Sequence, residues 1–128
     1  MEGIKRRPPI FKGKAKGINK WVRGYYVKDG NGEWIIQGDT RYRISSDSLS
    51  QATGHVDREG DDIFDGDVIE FVDYKTFVGV VEWDDFDGAV RVESSRRKYA
   101  FAEGNCNFAI TRNDAGRIRI IGHIIDRQ

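Results

Sequence analysis

Apolar and polar residues alternate along most of this chain with a period of two, and no long segment shows the 3.6-residue period of a helix. Over residues 18–27, Trp21, Arg23 and Tyr25 fall on one side of an extended segment, and Val22, Gly24 and Tyr26 on the other. Asp29-Gly30-Asn31-Gly32 predicts a tight hairpin, because Asp, Asn and Gly tolerate the positive φ such turns require. Residues 34–36 form the return strand, Gly38-Asp39 a second turn, and residues 41–44 a further strand. Residues 45–50 suit one helical turn and are too polar for a long helix. Residues 53–62 read as a loop around Gly54 and Gly60, followed by a short apolar hook, Ile63-Phe64. A strand over 67–72 leaves the Gly66-Asp67 turn, and residues 73–76 close a hairpin onto 77–83. Gly79 interrupts that second strand, as glycine does where a strand coils or another backbone comes close. After a turn at 84–88, the segment 89–93 alternates again, and 94–98 is polar and basic. Residues 99–102 and 107–111 read as two short strands, and 113–116 as a turn. The last strand, 117–125, starts with Ile118 and Ile120 inward and Arg117 and Arg119 outward, then becomes apolar on both sides at Ile120-Ile121. A strand apolar on both faces belongs in the middle of a sheet or under another chain.

Short strands at turn spacing with no helical segment give an all-β chain. Three parts follow. Residues 1–17 are a basic extended arm in which Ile10 and Phe11 form at most a short edge strand, since Pro8 and Pro9 cannot donate ladder hydrogen bonds. Residues 18–65 are an N-terminal β-meander with the Thr-Gly loop. Residues 66–128 resemble a five-stranded barrel of the Src-homology-3-like (SH3-like) type, packed with the meander. The Gly-Asp-Val-Ile start, the glycine in the second strand and the Ile-rich last strand carry that likeness.

Composition narrows the class. With 128 residues, 38% hydrophobic and 33% charged, the chain reads as a soluble protein with a modest core. Trp21, Trp34, Trp83 and the phenylalanines supply much of the burial. No apolar run approaches the roughly 20 residues that span a bilayer, and residues 1–16 lack the apolar centre of a secretory signal. The lone Cys106 makes no internal disulfide, which fits the cytoplasm of a bacterial host. The net charge of +0 hides an asymmetry. Up to Lys28 there are nine bases against Glu2 alone, and from Asp57 to Asp73 eight acids against Arg58 alone. Such a split points to docking of the two ends, self-association or a polyanion-binding arm, and solvated turns with a loose basic tail account for it equally.

Three chemistries follow from residue type and spacing. Lys12, Lys14, Lys16 and Lys20 lie close in sequence to Trp21, Tyr25 and Tyr26, and Arg96-Arg97-Lys98-Tyr99 repeats the mixture. Cations for phosphates beside rings for bases make a nucleic-acid surface, although a sequence pI of about 6.7 is low for a dedicated binder. Asp57, Glu59 and Asp61, followed by Asp65 and Asp67, offer oxygens to a hard cation. Gly60 stands fourth from Asp57, not sixth as in an EF-hand loop, so the simpler reading is an acidic turn capped by Asp67. Nucleophilic catalysis has only Cys106 with His55 and His123, which spacing does not assemble, and His123 reads as a core or interface histidine. No catalytic residue, cofactor or small-molecule substrate is expected, and the chain reads as a non-enzyme.

Thr53-Gly54, Asp57, Gly60, Ile63-Phe64 and Gly66-Asp67-Val68-Ile69 together resemble the signature of the YopX family. Trp21-Val22-Arg23-Gly24-Tyr25 and Ile121-Gly122-His123-Ile124 extend the likeness. His55 replaces the usual large apolar residue after Thr-Gly, and Arg58, Asp61 and Asp62 stand where the family usually has lysines. The resemblance implies a phage- or prophage-encoded accessory protein of no established activity. It implies a protein partner or homo-oligomer, with Thr53, Gly54, Asp57, Gly60, Gly66 and Asp67 in structural roles. A nucleic-acid-binding module using the basic arm and a metal-binding protein using the 57–67 loop are the alternatives.

Overall fold

The computed structural model describes residues 8–72, 77–104 and 106–127, with the side chain of Cys106 excepted. The hairpin turn expected at 73–76 and most of the leading half of the expected arm lie outside the described residues. The chain divides into two compact units, one ending at Ala52 and one running from Thr53.

The N-terminal unit is an antiparallel sheet. Its strands are β1 (Phe11–Ala15), β2 (Lys20–Asp29), β3 (Gly32–Gln37) and β4 (Thr40–Arg43), followed by a 3-10 turn at Ser46–Ser48 and by β5 (Ser50–Val56). Their order is β4-β3-β2-β1-β5. The hairpin turns and the single helical turn fall where the sequence places them. The arm does not. Residues 11–15 form an interior strand, pairing with β2 on one side and with the first residues of β5 on the other. Phe11, Gly13 and Ala15 face the core and Lys12 and Lys14 face outward, so the period of two was present but carried by small residues. Gly13 is there for room, since a Cβ would lie 2.8 Å from Cδ1 of Ile44. Ala15, Val22, Ile35 and Ile44 form the buried centre, with Phe11, Tyr26, Tyr42 and Leu49 packed on it. The 3-10 turn is stitched to β1, because Ser48 Oγ accepts the Lys14 N–H at 2.7 Å and donates to the Ser45 carbonyl at 2.6 Å.

The C-terminal unit holds the rest of β5, β6 (Asp62–Phe64), β7 (Asp67–Phe71), β8 (Val78–Trp83), β9 (Val90–Ser94), β10 (Cys106–Ala109) and β11 (Ile118–His123). Five of these form an antiparallel sheet in the order β10-β9-β8-β7-β11. The mainly-β class is borne out, but the expected closed SH3-like barrel is not. The sheet is open, with β10 and β11 at its two edges. The last strand is therefore an edge strand and not a central one. Its outer side is covered by the chain's own loop, where the Arg58 N–H donates to the Ile118 carbonyl at 2.9 Å and the Ile120 N–H reaches Asp57 Oδ2 at 3.4 Å. Two further expectations change. Residues 53–56 are strand, not loop, and residues 99–102 are a turn closed by the Ala102 N–H on the Tyr99 carbonyl at 3.0 Å. Gly79 meets its expectation, because a Cβ there would sit 2.6 Å from Val92 Cγ1 and 2.8 Å from the Glu93 carbonyl oxygen.

The Gly66-Asp67 corner ties β7, β8 and β11 together. Gly66 has φ +85°, its N–H donates to the Val81 carbonyl at 2.8 Å, and its carbonyl accepts from Ile124 at 2.8 Å. The fully buried Asp67 carboxylate accepts the Phe64 N–H at 2.7 Å. A Cβ on Gly66 would lie 2.6 Å from Nε2 of His123. Replacing Gly66 with Ala should combine left-handed strain with overpacking and lower the unfolding free energy by about 3 kcal/mol. Gly60→Ala has a similar φ of +83° but nothing within 4 Å, so it should cost only about 1 kcal/mol. Urea unfolding of the two variants checks the difference, and equal losses would show that the contact with His123 carries no weight.

Candidate nucleic-acid interface

A sheet with one buried face must solvate the other, and what the N-terminal unit places on its outer face is unusual in composition. Register fixes the membership. Lys12 stands opposite Arg23 and Lys14 opposite Trp21. Tyr25 stands opposite Ile36 and Val27 opposite Trp34, while Trp34 faces Arg43 and Ile36 faces Arg41. Because side chains alternate, all of these share the face away from Ile35 and Val22. The face thus presents five cations, Lys12, Lys14, Arg23, Arg41 and Arg43, among three rings, Trp21, Tyr25 and Trp34.

The cations and rings are in contact. Lys12 Nζ lies 5.0 Å and Lys14 Nζ 5.8 Å from the Trp21 ring centroid. The Arg41 guanidinium lies 4.3 Å and that of Arg43 5.9 Å from the Trp34 ring. Tyr25 is 67% exposed, a large fraction for an aromatic side chain. Asp29, at the hairpin after β2, orients the far edge. Its carboxylate accepts the Asn31 N–H at 2.9 Å and the Trp34 indole N–H at 3.1 Å, and it pairs with Arg41. The Asn31 N–H, then the Trp34 indole, then Arg41 hold this carboxyl below its ordinary value. On the opposite face the Tyr26 hydroxyl donates to Glu33, and that hydrogen bond raises the phenol.

Of the cations read from sequence, Lys12 and Lys14 sit on this face. Lys16 lies in the turn between β1 and β2, and Lys20 opens β2. Arg96, Arg97 and Lys98 belong to the other unit, where two of them brace a loop. Arg96 donates to the Ala102 carbonyl at 3.0 Å and pairs with Glu103 at 2.8 Å, and Lys98 pairs with Glu82 at 2.8 Å. Arg23, Arg41, Arg43 and Trp34 were not picked out as binding residues. The alternation Arg41-Tyr42-Arg43 carried the signal, but joining it to Lys12 and Lys14 needs the four-strand register. Charge follows the division into units: residues 7–52 hold nine Lys and Arg against four Asp and Glu, and residues 53–128 ten against sixteen. The near-neutral pI is the sum of a basic and an acidic half.

The acidic candidates are differently placed. Asp57 is buried and spends its carboxylate on its own loop, accepting N–H groups from Glu59 at 2.9 Å and Asp61 at 3.0 Å. Glu59 and Asp61 are exposed, and no group of three His, Cys, Asp or Glu suited to a metal occurs among the described residues. Thr53 Oγ1 donates to the Ile63 carbonyl at 2.7 Å. His123 is buried, its Nδ1 accepting the Ile125 N–H at 3.1 Å and its Nε2 lying 3.3 Å from the Asp65 carbonyl oxygen. His55 is half-buried on β5 beside Thr53, Gly54, Trp83 and Arg112, which line a cleft of about 470 Å³. Cys106 lies in β10 with its side chain outside the described residues. Among the described residues no helix is long and apolar enough to cross a membrane.

The anchoring of Trp34 is testable. On acidification the Trp34 indole N–H resonance should move with a midpoint below the ordinary aspartate value of 3.8. In Asp29→Asn it should be displaced already at neutral pH. A wild-type midpoint at or above 3.8 would contradict the assigned carboxylate contacts.

Comparison with known proteins adds one match. The family model described as YopX protein matches residues 11–126, nearly the whole chain, and the chain belongs to that family. No curated protein matches it.

Proposed function

We propose that this member of the YopX family is a non-enzymatic binding protein that takes single-stranded nucleic acid on the outer face of its N-terminal sheet, in the cytoplasm of a bacterial host. The supporting observation is the face itself, with five cations interleaved with Trp21, Tyr25 and Trp34 across four paired strands. Cations contact phosphates without reading sequence, while rings offer stacking to any base. A broad sheet surface does not enter a duplex groove, but it accepts bases that are splayed and unpaired, so single strands are favoured over duplex. The buried, internally bonded positions of Asp57, Asp67 and His123 support a structural role for the C-terminal motif.

Fluorescence polarisation with a labelled oligothymidine tests the reading. Affinity should fall with salt, with a log–log slope of about −2 to −3.5, since each neutralised phosphate of a single strand contributes roughly −0.7. Trp21→Ala and Tyr25→Ala should each weaken binding about tenfold, the scale of one lost stacking contact. Changing Arg96, Arg97 and Lys98 together to Gln should leave affinity within about twofold, as these cations lie outside the face. No binding at low salt, or binding lost only in the triple variant, defeats the proposal.

A further inference from the structure

We propose that a cleft in the C-terminal unit binds a small aromatic anion, a flat ring carrying one phosphate or carboxylate, with Arg112 and His55 meeting the charge and Trp83 the ring. The lining residues all belong to that unit, and none of them is part of the basic face of the N-terminal sheet.

The cleft holds about 470 Å³, within the range of small-molecule sites. Pairing assembles it from pieces of chain far apart in sequence. Thr53, Gly54 and His55 come from β5. Trp83 ends β8 and stands opposite Val90 of β9. The Ile110 N–H donates to the Val90 carbonyl at 2.7 Å, which sets the end of β10 beside that pair. Asp114 then accepts the Thr111 N–H at 2.8 Å, and this fixes where Arg112 leaves the sheet. Trp83 is half-buried, packing against the core of the unit while lining the cleft. Ala89 and Ala109 line it too, and their small side chains leave room for a ring against the indole.

Charge decides what kind of ring. From residue 53 on, the chain holds ten Lys and Arg against sixteen Asp and Glu. Even so, no described Asp or Glu lines this cleft. Asp84 and Asp87 of the adjoining hairpin are paired with Arg91, at 3.2 Å and 2.8 Å. Asp114 is paired with Arg117, and Asp85 lines a separate depression. Arg112 is different. Its exposed side chain lines the cleft and forms no hydrogen bond or ion pair among the described residues. His55 lines the same cleft. A guanidinium with no carboxylate partner, in a cleft without an acid of its own, selects an anion, and its planar fork suits phosphate and carboxylate alike. The indole beside it selects an anion that carries a ring.

An amide-resolved NMR titration of the full chain tests this. Adenosine monophosphate and benzoate are the probes, one a phosphate and one a carboxylate. Adenosine and benzamide keep the rings without the charge, and inorganic phosphate and acetate keep the charge without a ring. At least one aromatic anion should shift the Trp83 indole N–H and the amides of Ala89, Ala109 and Arg112 saturably, and the tighter of the two identifies the anion. Its uncharged and ringless counterparts should each bind about tenfold more weakly. Arg112→Gln has no partner to lose, so it should keep the circular dichroism spectrum of the wild type. It should weaken the aromatic anion about tenfold, the scale of one lost charge-assisted hydrogen bond. Four results each overturn the proposal: no shift at the cleft with either anion at low-millimolar concentration, shifts confined to Trp21, Tyr25 and Trp34, an uncharged or ringless counterpart that binds as tightly as its aromatic anion, or an Arg112→Gln variant that binds as wild type does.

Discussion

The corner at Gly66 and Asp67 is the constraint on which the C-terminal unit depends. A buried carboxylate is tolerated only when it is hydrogen-bonded, and Asp67 meets that condition by accepting the Phe64 N–H across the turn. The turn forms only with a residue that takes φ +85° and lets the imidazole of His123 approach, and glycine meets both conditions. From this point β7 runs away from the corner and β11 returns to it, with His123 opposite Asp67 and Gly122 opposite Val68. The motif residues at 66–69 and 121–124, more than fifty positions apart, are thus two sides of one joint. Asp57 does the same at smaller scale, folding its loop over the edge of β11. These residues therefore pin an open sheet, and although they look polar and conspicuous in sequence, Asp57, Asp67 and His123 are buried.

In the N-terminal unit the two faces of the sheet answer to different demands. The core face needs small residues on β1, where Gly13 lies under Ile44, and larger ones on β2 and β3, where Val22 and Ile35 are buried. The outer face has no such demand. Exposed ion pairs and exposed cations contribute little to folding, so five cations there are not explained by stability. Their stacking on Trp21 and Trp34 stiffens long side chains and keeps the charge at the surface.

Much of this was legible from residues 20–44, where alternation, turn chemistry and strand length agree and the structure follows them closely. Other positions were illegible for physical reasons. The inward residues of β1 are Phe, Gly and Ala, so a hydrophobicity pattern registers one large apolar residue where the structure has three core positions. The edge position of β11 was hidden because its Ile-rich sequence looks doubly buried, and the loop that covers it is supplied by Asp57 and Arg58, sixty residues earlier. Barrel closure is a long-range property that the Gly-Asp-Val-Ile start does not encode. Part of the outer face was visible, since Lys12, Lys14, Trp21 and Tyr25 lie near one another in sequence. Arg41, Arg43 and Trp34 join them only through the pairing of β2, β3 and β4.

The near-neutral total charge describes neither half of the chain. Residues 7–52 carry nine Lys and Arg against four Asp and Glu, and residues 53–128 ten against sixteen. Exposed charges act over roughly a Debye length, about 8 to 10 Å at ordinary salt, so a polyanion would meet the local excess of base on the outer face of the N-terminal sheet and not the sum over the chain. Charge neutrality over the whole chain is therefore compatible with the proposed nucleic-acid binding, because the acidic residues are concentrated in the other half.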